Sequence, residues 1–236
     1  MSKYPGNSFG SRNIDDDDQP RFGPYTTNVV EYDWRDENGV LLYQTKKGLN
    51  PDGEKPYLVR RPNLLRFGDR IEPEDRVDWY YGLGDVRRIL FNLPAIVDPA
   101  RRSETVWIVE GEKDATNLIR RGLVATTSFG GAGKWNYFET VNDGKERKHP
   151  KKISRDYSYT LVDRDCVILP DNDMRGEMHG EQVWRSLRGK ASRIRLLCLP
   201  GLAHKGDVSD WLAAGGTVKE LQRLADTIAV EIRSAS

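Results

Sequence analysis

Residues 106–114 read Val-Trp-Ile-Val-Glu-Gly-Glu-Lys-Asp. The four leading apolar side chains predict a strand that is buried on both faces, because a half-exposed strand would alternate apolar and polar residues. Apolar residues at helical spacing then predict a helix over 112–121, which Gly122 ends. A second apolar strand is predicted over 123–129. A strand, a helix and another strand in this order are typical of a parallel sheet.

The same alternation of strands and helices continues along the chain. Residues 166–169 and 194–199 predict two more buried strands, and a helix between them is predicted over 175–187. The sequence therefore predicts an α/β domain over 100–232, built on a four-stranded parallel sheet with flanking helices. Within this domain, residues 137–165 lack a clear period and carry several basic side chains, which favours an exposed insertion.

The part of the chain that precedes this domain has a different pattern. Apolar and polar residues alternate on both sides of Asn38-Gly39, which is a strong signal for a β-hairpin. We therefore expect a small β-rich N-terminal subdomain over 28–99, with a helix over 85–93 that ends before a proline. Residues 1–27 contain a run of aspartates and few apolar side chains, which favours a flexible tail.

Composition limits the possible classes of protein. The chain has 236 residues, a formal net charge of +1 and a mean hydropathy of -0.68. No apolar run approaches the roughly 18 to 20 residues of a membrane span, and the first residues do not resemble a secretion signal. We therefore expect a cytoplasmic protein without membrane contact. The two cysteines, Cys166 and Cys198, are too few for a zinc site of three or four thiolates.

Acidic residues follow three of the predicted strands. Because ligands of open parallel sheets bind beyond the carboxyl ends of the strands, these acids are expected at one edge of the sheet. Carboxylates that converge repel one another unless cations lie between them, and ligation by oxygen alone suits Mg²⁺ or Mn²⁺. The alternative is that each acid only caps a helix N-terminus. The candidate metal-binding acids are Glu110, Asp114, Asp171, Asp173, Asp207 and Asp210.

Three motifs containing these acids resemble a known family. Val-Glu-Gly-Glu-Lys-Asp at 109–114, Asp-Asn-Asp at 171–173 and Lys-Gly-Asp-Val-Ser-Asp-Trp-Leu at 205–212 resemble the motifs of the TOPRIM domain. This domain is shared by bacterial-type DNA primases, topoisomerases and several nucleases. The nearest likeness is to primase-like proteins of phages and mobile elements, and it extends over about 29–215.

The resemblance implies a fold, a chemistry and a set of roles. It implies a TOPRIM-like sheet, a general acid or base at Glu110, and divalent metal bound by the other acids of the motifs. Lys113, which begins the same helix, is expected either to contact phosphate or to be a solvated helix residue. The implied activity is nucleotidyl transfer that makes RNA primers on single-stranded DNA from nucleoside triphosphates during DNA replication. A replicative helicase is a further implied partner.

Two other functions remain open from the sequence. The same acids would serve a metal-dependent nuclease or nicking enzyme, because phosphodiester cleavage needs the same charge neutralisation. The other is a DNA-binding accessory protein of a primase that performs no catalysis. Incorporation of ribonucleotides against a template would separate these three functions.

Basic residues outside the acidic motifs are candidates for contacts with nucleic acid. The glycine-rich run that ends at Lys134 lacks the Ser or Thr of a P-loop, but it can still present amides and a charge to phosphate. Aromatic residues at 79–81 are available to stack on bases. The three histidines show no ligand spacing and are expected at the surface. The candidate phosphate and nucleic-acid contacts are Arg60, Arg61, Arg87, Arg88, Lys134 and Lys205.

Overall fold

The computed structural model describes residues 21–62, 79–141 and 151–228, and the backbone of 231–232. Most of the predicted tail and the middle of the predicted insertion, 142–150, lie outside the described residues. The chain divides into two compact units. The described residues of the first unit are 21–32, 43–62 and 79–84, and those of the second are 33–42, 85–141, 151–228 and 231–232.

A sheet of four described strands forms the N-terminal part of the chain. Its order is β1 (Thr27–Arg35), β2 (Leu41–Leu49), β3 (Tyr57–Pro62) and β4 (Trp79–Tyr81). The hairpin predicted at Asn38-Gly39 is present: the Gly39 amide donates to the Asp36 carbonyl at 2.9 Å. Gly39 has φ 82°, a conformation that glycine adopts without strain.

The second unit contains the predicted alternation of helices and strands. In chain order its further elements are α1 (Leu93–Val97), β5 (Val106–Ile108), α2 (Glu112–Ile119), β6 (Val124–Thr126), β7 (Asn136–Val141), β8 (Lys151–Asp156), β9 (Asp165–Ile168), α3 (Met174–Leu187), β10 (Arg193–Leu196), α4 (Val208–Ala213), α5 (Val218–Thr227) and β11 (Glu231–Ile232).

The parallel sheet lies at the centre of this unit. Its strand order is β11-β10-β9-β5-β6, in which β10, β9, β5 and β6 pair in parallel and β11 pairs antiparallel with β10. The described side chains of β5, β6 and β9 are almost wholly buried, as continuous apolar strands require. Buried side chains of α3, including Val183 and Leu187, join the same core. The predicted α/β fold with a four-stranded parallel sheet is confirmed.

One sequence prediction about local structure is wrong. Residues 85–92 do not form a helix; instead Leu90 pairs with Ser128 in an isolated antiparallel bridge, and α1 begins where the predicted helix would end. Pro94 therefore lies in the first turn of a helix, where its missing amide costs nothing. In the described part of the predicted basic insertion, β7 and β8 pair as an antiparallel ribbon. Of the two cysteines, Cys166 is buried and Cys198 is exposed.

No helix in the described part of the chain is both long enough and apolar enough to span a bilayer.

Candidate active site at the strand ends

Parallel pairing brings the first two acidic motifs to one edge of the sheet. β5 and β9 are neighbours with Ile108 opposite Ile168, and the Leu169 amide extends the pairing by donating to the Ile108 carbonyl at 2.8 Å. Glu110 lies two residues beyond β5, and Asp171 lies three residues beyond β9. The two carboxylates thus emerge side by side where both strands end.

Gly176 of α3 packs closely against Glu110 and Asp171 at this edge of the sheet. Asp173 is the N-cap of α3, and its carboxylate accepts from the Gly176 amide at 2.8 Å. A Cβ on Gly176 would lie 2.6 Å from Oε1 of Glu110 and 2.8 Å from the backbone nitrogen of Asp171, well inside contact distance. Oε1 of Glu110 is itself buried, with no hydrogen-bond partner of normal geometry among the described residues. The absence of a side chain at 176 therefore leaves room for the Glu110 carboxylate.

Burial and mutual repulsion raise the pKa values of the acids at this edge. Burial raises the pKa of Asp171 to about 8, and the charges of Glu110, Asp114, Asp207 and Asp173 add to the rise. The pKa of Glu110 is also raised, mainly by burial, although the backbone of Asp171 partly offsets the change. Burial raises the pKa of Asp114 to about 6. Acids from all three motifs thus act on one another.

The third motif contacts the first through α2 and α4. Asp207 is the N-cap of α4 and forms a capping box with Asp210. Lys113 of α2 donates to Oδ2 of Asp207, and its Nζ lies 3.7 Å from Oδ1 of Asp114. Burial by itself would lower the pKa of Lys113, but the bond to Asp207 and the nearby acids raise it, so the ammonium is charged at neutral pH. Lys113 is therefore not a freely solvated helix residue.

Several polar residues that the sequence analysis missed hold the motifs together. Ser209 donates its hydroxyl to Oδ1 of Asp114, and Asn117 donates to Ser209 Oγ at 2.7 Å. The backbone of Asn172 exchanges hydrogen bonds of 2.9 Å with Gly206 and with Lys205. These are short polar side chains without a distinctive spacing, so only the pattern of the motifs could have suggested them.

The glycine-rich turn after β6 lies beside Glu110. A Cβ on Gly131 would lie 3.4 Å from the Glu110 carbonyl, and the Thr127 hydroxyl donates to the same carbonyl at 2.8 Å. The Gly133 amide donates to Nδ1 of His179 at 3.0 Å. His179 is 4% exposed, so its predicted surface position is wrong. Lys134, which follows this turn, is exposed, as is Lys205 in the third motif.

The four candidate arginines all have partners within the chain. Arg60 pairs with Glu31 at 2.8 Å and lies over the Trp79 ring, and Arg61 donates to the Gly82 carbonyl at 2.8 Å. These two belong to the first unit.

In the second unit, Arg87 pairs with Glu37, and Arg88 lies over the rings of Phe129 and Tyr137. All four arginines remain predictions as nucleic-acid contacts.

The acids are near one another but are not gathered around a point. No group of three or more His, Cys, Asp or Glu side chains within 21–62, 79–141 and 151–228 is arranged to hold a metal ion. Two carboxylates are already engaged as helix caps, and one of these also binds Lys113. The roles of the candidate site residues therefore stay predictions.

Comparison with known proteins identifies the fold. No protein-family model and no curated protein matches the chain. The chain is similar to the zinc-binding and RNA polymerase domains of the Aquifex aeolicus primase, with a TM-score of 0.54 and 17% identity over 86% of this chain and 40% of that one. It is similar to a DnaG catalytic core, with a TM-score of 0.52 and 16% identity over 86% of this chain and 53% of that one.

A DNA primase domain from Pseudomonas aeruginosa gives a TM-score of 0.52 and 19% identity over 86% of this chain and 52% of that one. The chain spans about half or less of the length of these three structures. The predicted likeness is thus confirmed at the level of architecture: the chain has the fold of the catalytic core of bacterial DNA primases.

Proposed function

We propose that this chain is a metal-dependent, primase-like nucleotidyltransferase that joins ribonucleotides into short primers on single-stranded DNA. The observation that supports this most is the crowding of acids around Asp171, whose pKa rises to about 8 through burial and four neighbouring carboxylates. Perturbed acids in one place, on a fold similar to primase cores, are typical of a catalytic site.

The donor atoms at this edge suit a divalent cation. All are carboxylate oxygens, which Mg²⁺ and Mn²⁺ prefer, and Oε1 of Glu110 has no hydrogen-bond partner of normal geometry among the described residues. Glu110, Asp171 and Asp173 would hold the cation, and Asp114, Asp207 and Asp210 are the further candidate ligands. The chemistry that such a cation supplies is neutralisation of phosphate charge and a lower pKa for an attacking hydroxyl.

The reaction we propose joins two nucleotides on the template strand. The 3′ oxygen of one nucleotide bonds to the α-phosphorus of an incoming nucleoside triphosphate, and the bond from that phosphorus to pyrophosphate breaks. Glu110 accepts the proton of the 3′ hydroxyl at Oε1, which accepts no hydrogen bond of normal geometry from the described residues. Lys134 and Lys205 are exposed and bind the triphosphate. The arginines at 60, 61, 87 and 88 contact the single-stranded template.

The setting that we propose follows from the same activity. The chain acts in DNA replication in the cytoplasm, as a TOPRIM-domain protein of a phage or mobile element. Its partners are single-stranded DNA, nucleoside triphosphates and a replicative helicase. The catalytic domain spans 100–232, and the β-rich subdomain over 28–99 binds the template.

The test uses the whole chain with single-stranded DNA, labelled ribonucleotides and Mg²⁺ or Mn²⁺, beside a lane of labelled DNA. Wild type is compared with Glu110→Gln and with Glu181→Gln, which makes the same change on the exposed face of α3. Wild type and Glu181→Gln should make short oligomers. Glu110→Gln should make at least about 100-fold less product, since a general base contributes roughly 10² to 10⁴ in rate.

The other outcomes decide against the proposal. Shortened DNA that requires Glu110, without new oligomers, would identify a nuclease. Binding of DNA with neither synthesis nor cleavage would identify an accessory protein. Equal synthesis by wild type and Glu110→Gln would remove Glu110 from the mechanism.

A further inference from the structure

Two adjoining cavities lie beside the β7–β8 ribbon in the second unit. One has a volume of about 530 Å³ and is lined by residues of β7, of β8 and of the short 3₁₀ helix that follows, Tyr157–Leu161. The other, of about 430 Å³, extends from the same ribbon to the segment before α1. Tyr137 and Asp156 line both cavities, so we name the two together the ribbon groove. Both volumes fall within the roughly 300 to 1,000 Å³ of ligand-binding pockets.

Arg88 supplies a positive charge to the ribbon groove. Its guanidinium lies over the rings of Phe129 and Tyr137, 5.6 and 5.2 Å from their centroids. With the residues of 21–62, 79–141 and 151–228, this guanidinium makes neither an ion pair nor a hydrogen bond. The two rings hold it in place, and its donors remain available to an acceptor from outside the chain. A planar guanidinium suits the oxygens of a phosphate group.

The other charges of the ribbon groove are paired within the chain. Two carboxylates line the groove, and a third, that of Glu139 on β7, acts on Tyr137. Burial and Glu139 raise the pKa of Tyr137, whereas the charges of three arginines oppose the rise. Each of the three carboxylates has one basic partner, which leaves the charge of Arg88 uncompensated. The pairs are Arg87 with Glu37, Arg155 with Glu139 and Lys190 with Asp156.

Tyr159 adds an aromatic ring to the ribbon groove. Its side chain is 71% exposed, although Tyr157, Ser158 and Leu161 of the same 3₁₀ helix are buried. The Nζ of Lys190 lies 5.0 Å from the centroid of the Tyr159 ring. An exposed ring that lines a cavity beside basic side chains is typical of surfaces on which the bases of single strands stack.

We infer that the ribbon groove binds single-stranded nucleic acid, with a base stacked on Tyr159 and a phosphate bound by Arg88. This inference rests on the proposed function only for the identity of the strand as a DNA template. Of the four candidate arginines, Arg60, Arg61 and Arg87 already use guanidinium donors within the chain, whereas Arg88 does not. A duplex should bind more weakly, because it offers the edges of its bases rather than their faces.

The test measures the fluorescence anisotropy of a labelled oligothymidylate of about 12 nucleotides, a length within the site sizes of single-strand-binding folds. The whole chain is titrated in at several salt concentrations without divalent metal. Tyr159→Ala should weaken binding at least about fivefold, the lower end of the loss when a stacking ring is removed. Tyr159→Phe keeps the ring and should bind as wild type does. Tyr25→Ala is the matched control, since Tyr25 is 77% exposed in the first unit.

The salt dependence of binding tests the role of Arg88. Arg88→Gln should weaken binding about fivefold at about 0.1 M salt. It should also make the plot of log affinity against log salt concentration less steep by about 0.7, the value of one phosphate contact on a single strand. Arg88→Lys keeps the charge and should keep the slope, as should Tyr159→Ala. Arg223→Gln is the control, because it removes an exposed arginine of α5 that pairs with Glu220.

Several outcomes would overturn the inference. Circular dichroism melts report whether each variant is folded. Equal affinity of folded Tyr159→Ala and Tyr25→Ala would overturn it, and so would a wild-type salt slope in folded Arg88→Gln. A duplex that binds as tightly as the single strand, or no binding by wild type, would overturn it as well.

The binding assay is independent of primer synthesis. A chain that binds oligothymidylate through Tyr159 and Arg88 but makes no primers refutes only the proposed function. A chain that makes primers, while neither substitution weakens binding, refutes only the role of the ribbon groove.

Discussion

Gly176→Ala adds a single methyl group at the acidic edge. We expect it to disturb Mn²⁺ binding more than it disturbs the stability of α3. An alanine Cβ at 176 would lie 2.6 Å from Oε1 of Glu110, whereas ordinary contact begins near 3.4 Å. The carboxylate oxygen would have to retreat by about 0.8 Å, the difference between these two values. The same Cβ would meet the backbone of Asp171, which cannot rotate away.

The displacement is large compared with the tolerance of a metal site. Metal–oxygen distances in such sites are roughly 2.0 to 2.6 Å, so a carboxylate displaced by about 0.8 Å no longer reaches the cation. We expect Gly176→Ala to weaken Mn²⁺ binding at least about tenfold, the lower end of losses caused by displaced supporting groups. Overpacking costs roughly 1 to 3 kcal/mol, partly offset by the gain of about 1 kcal/mol in helix propensity.

Gly180→Ala is the control, since it makes the same change one turn later in α3. Its Cβ would meet only side-chain atoms, at 3.1 Å from Leu196 Cδ1 and 3.3 Å from Pro170 Cβ. Mn²⁺ titration and thermal melts of both variants give the two quantities needed. If Gly176→Ala binds Mn²⁺ as tightly as Gly180→Ala and has the melting temperature of wild type, the assignment of Glu110 to the metal site is incorrect.

Two further predictions concern buried groups of the same unit. Burial lowers the pKa of His179 to about 4 from 6.5, so the unfolded chain binds the proton first as pH falls, and stability is lost between about pH 6.5 and 4. Between pH 7 and 4.5, this effect should lower the free energy of unfolding by about 2.5 kcal/mol in wild type and in His204→Gln, but not in His179→Gln, as measured by urea unfolding. The same pH dependence of the unfolding free energy in both variants would contradict this prediction. Asp165→Ala should cost about 3 kcal/mol in urea unfolding, because Arg195 is 2% exposed and bonds both Asp165 oxygens at 2.6 and 2.7 Å. Asp226 also pairs with Arg195, but the side chain of Asp226 is 69% exposed, so Asp226→Ala should lower the free energy of unfolding by less than about 1 kcal/mol. Similar losses for the two variants would mean that Asp165 is not the main counter-ion of Arg195.

The sequence was sufficient for the parallel sheet because burial on both faces leaves an unmistakable pattern. Continuous apolar runs such as 106–109 have no solvent face, and helices between them leave only parallel pairing. The position of the acids follows from this, since residues that follow parallel strands must emerge at one edge. Fold class and candidate acids were therefore predictable together.

The failures come from segments whose structure depends on distant partners. Residues 85–93 carry apolar side chains at helical spacing, yet Leu90 lies in a bridge with Ser128, 38 positions later in the numbering. His179 is buried because it accepts from the Gly133 amide, which is 46 residues away. Polar residues occupy both faces of the β7–β8 ribbon, so its sequence lacks the alternation of apolar and polar residues that predicts a strand. The pattern of neighbouring residues carries no information about such long-range contacts.

Helix capping and metal binding were alternative explanations of the acids, and the structure shows capping by two of them. Asp173 and Asp207 do cap α3 and α4, so capping accounts for their positions. Glu110 and Asp171 cap nothing, and their raised pKa values mean that their ionised forms are less favourable in the folded chain than in the unfolded one. An arrangement that lowers stability at neutral pH contributes nothing to folding. A cation bound by the two acids would reverse that penalty, which is why we propose these acids as metal ligands.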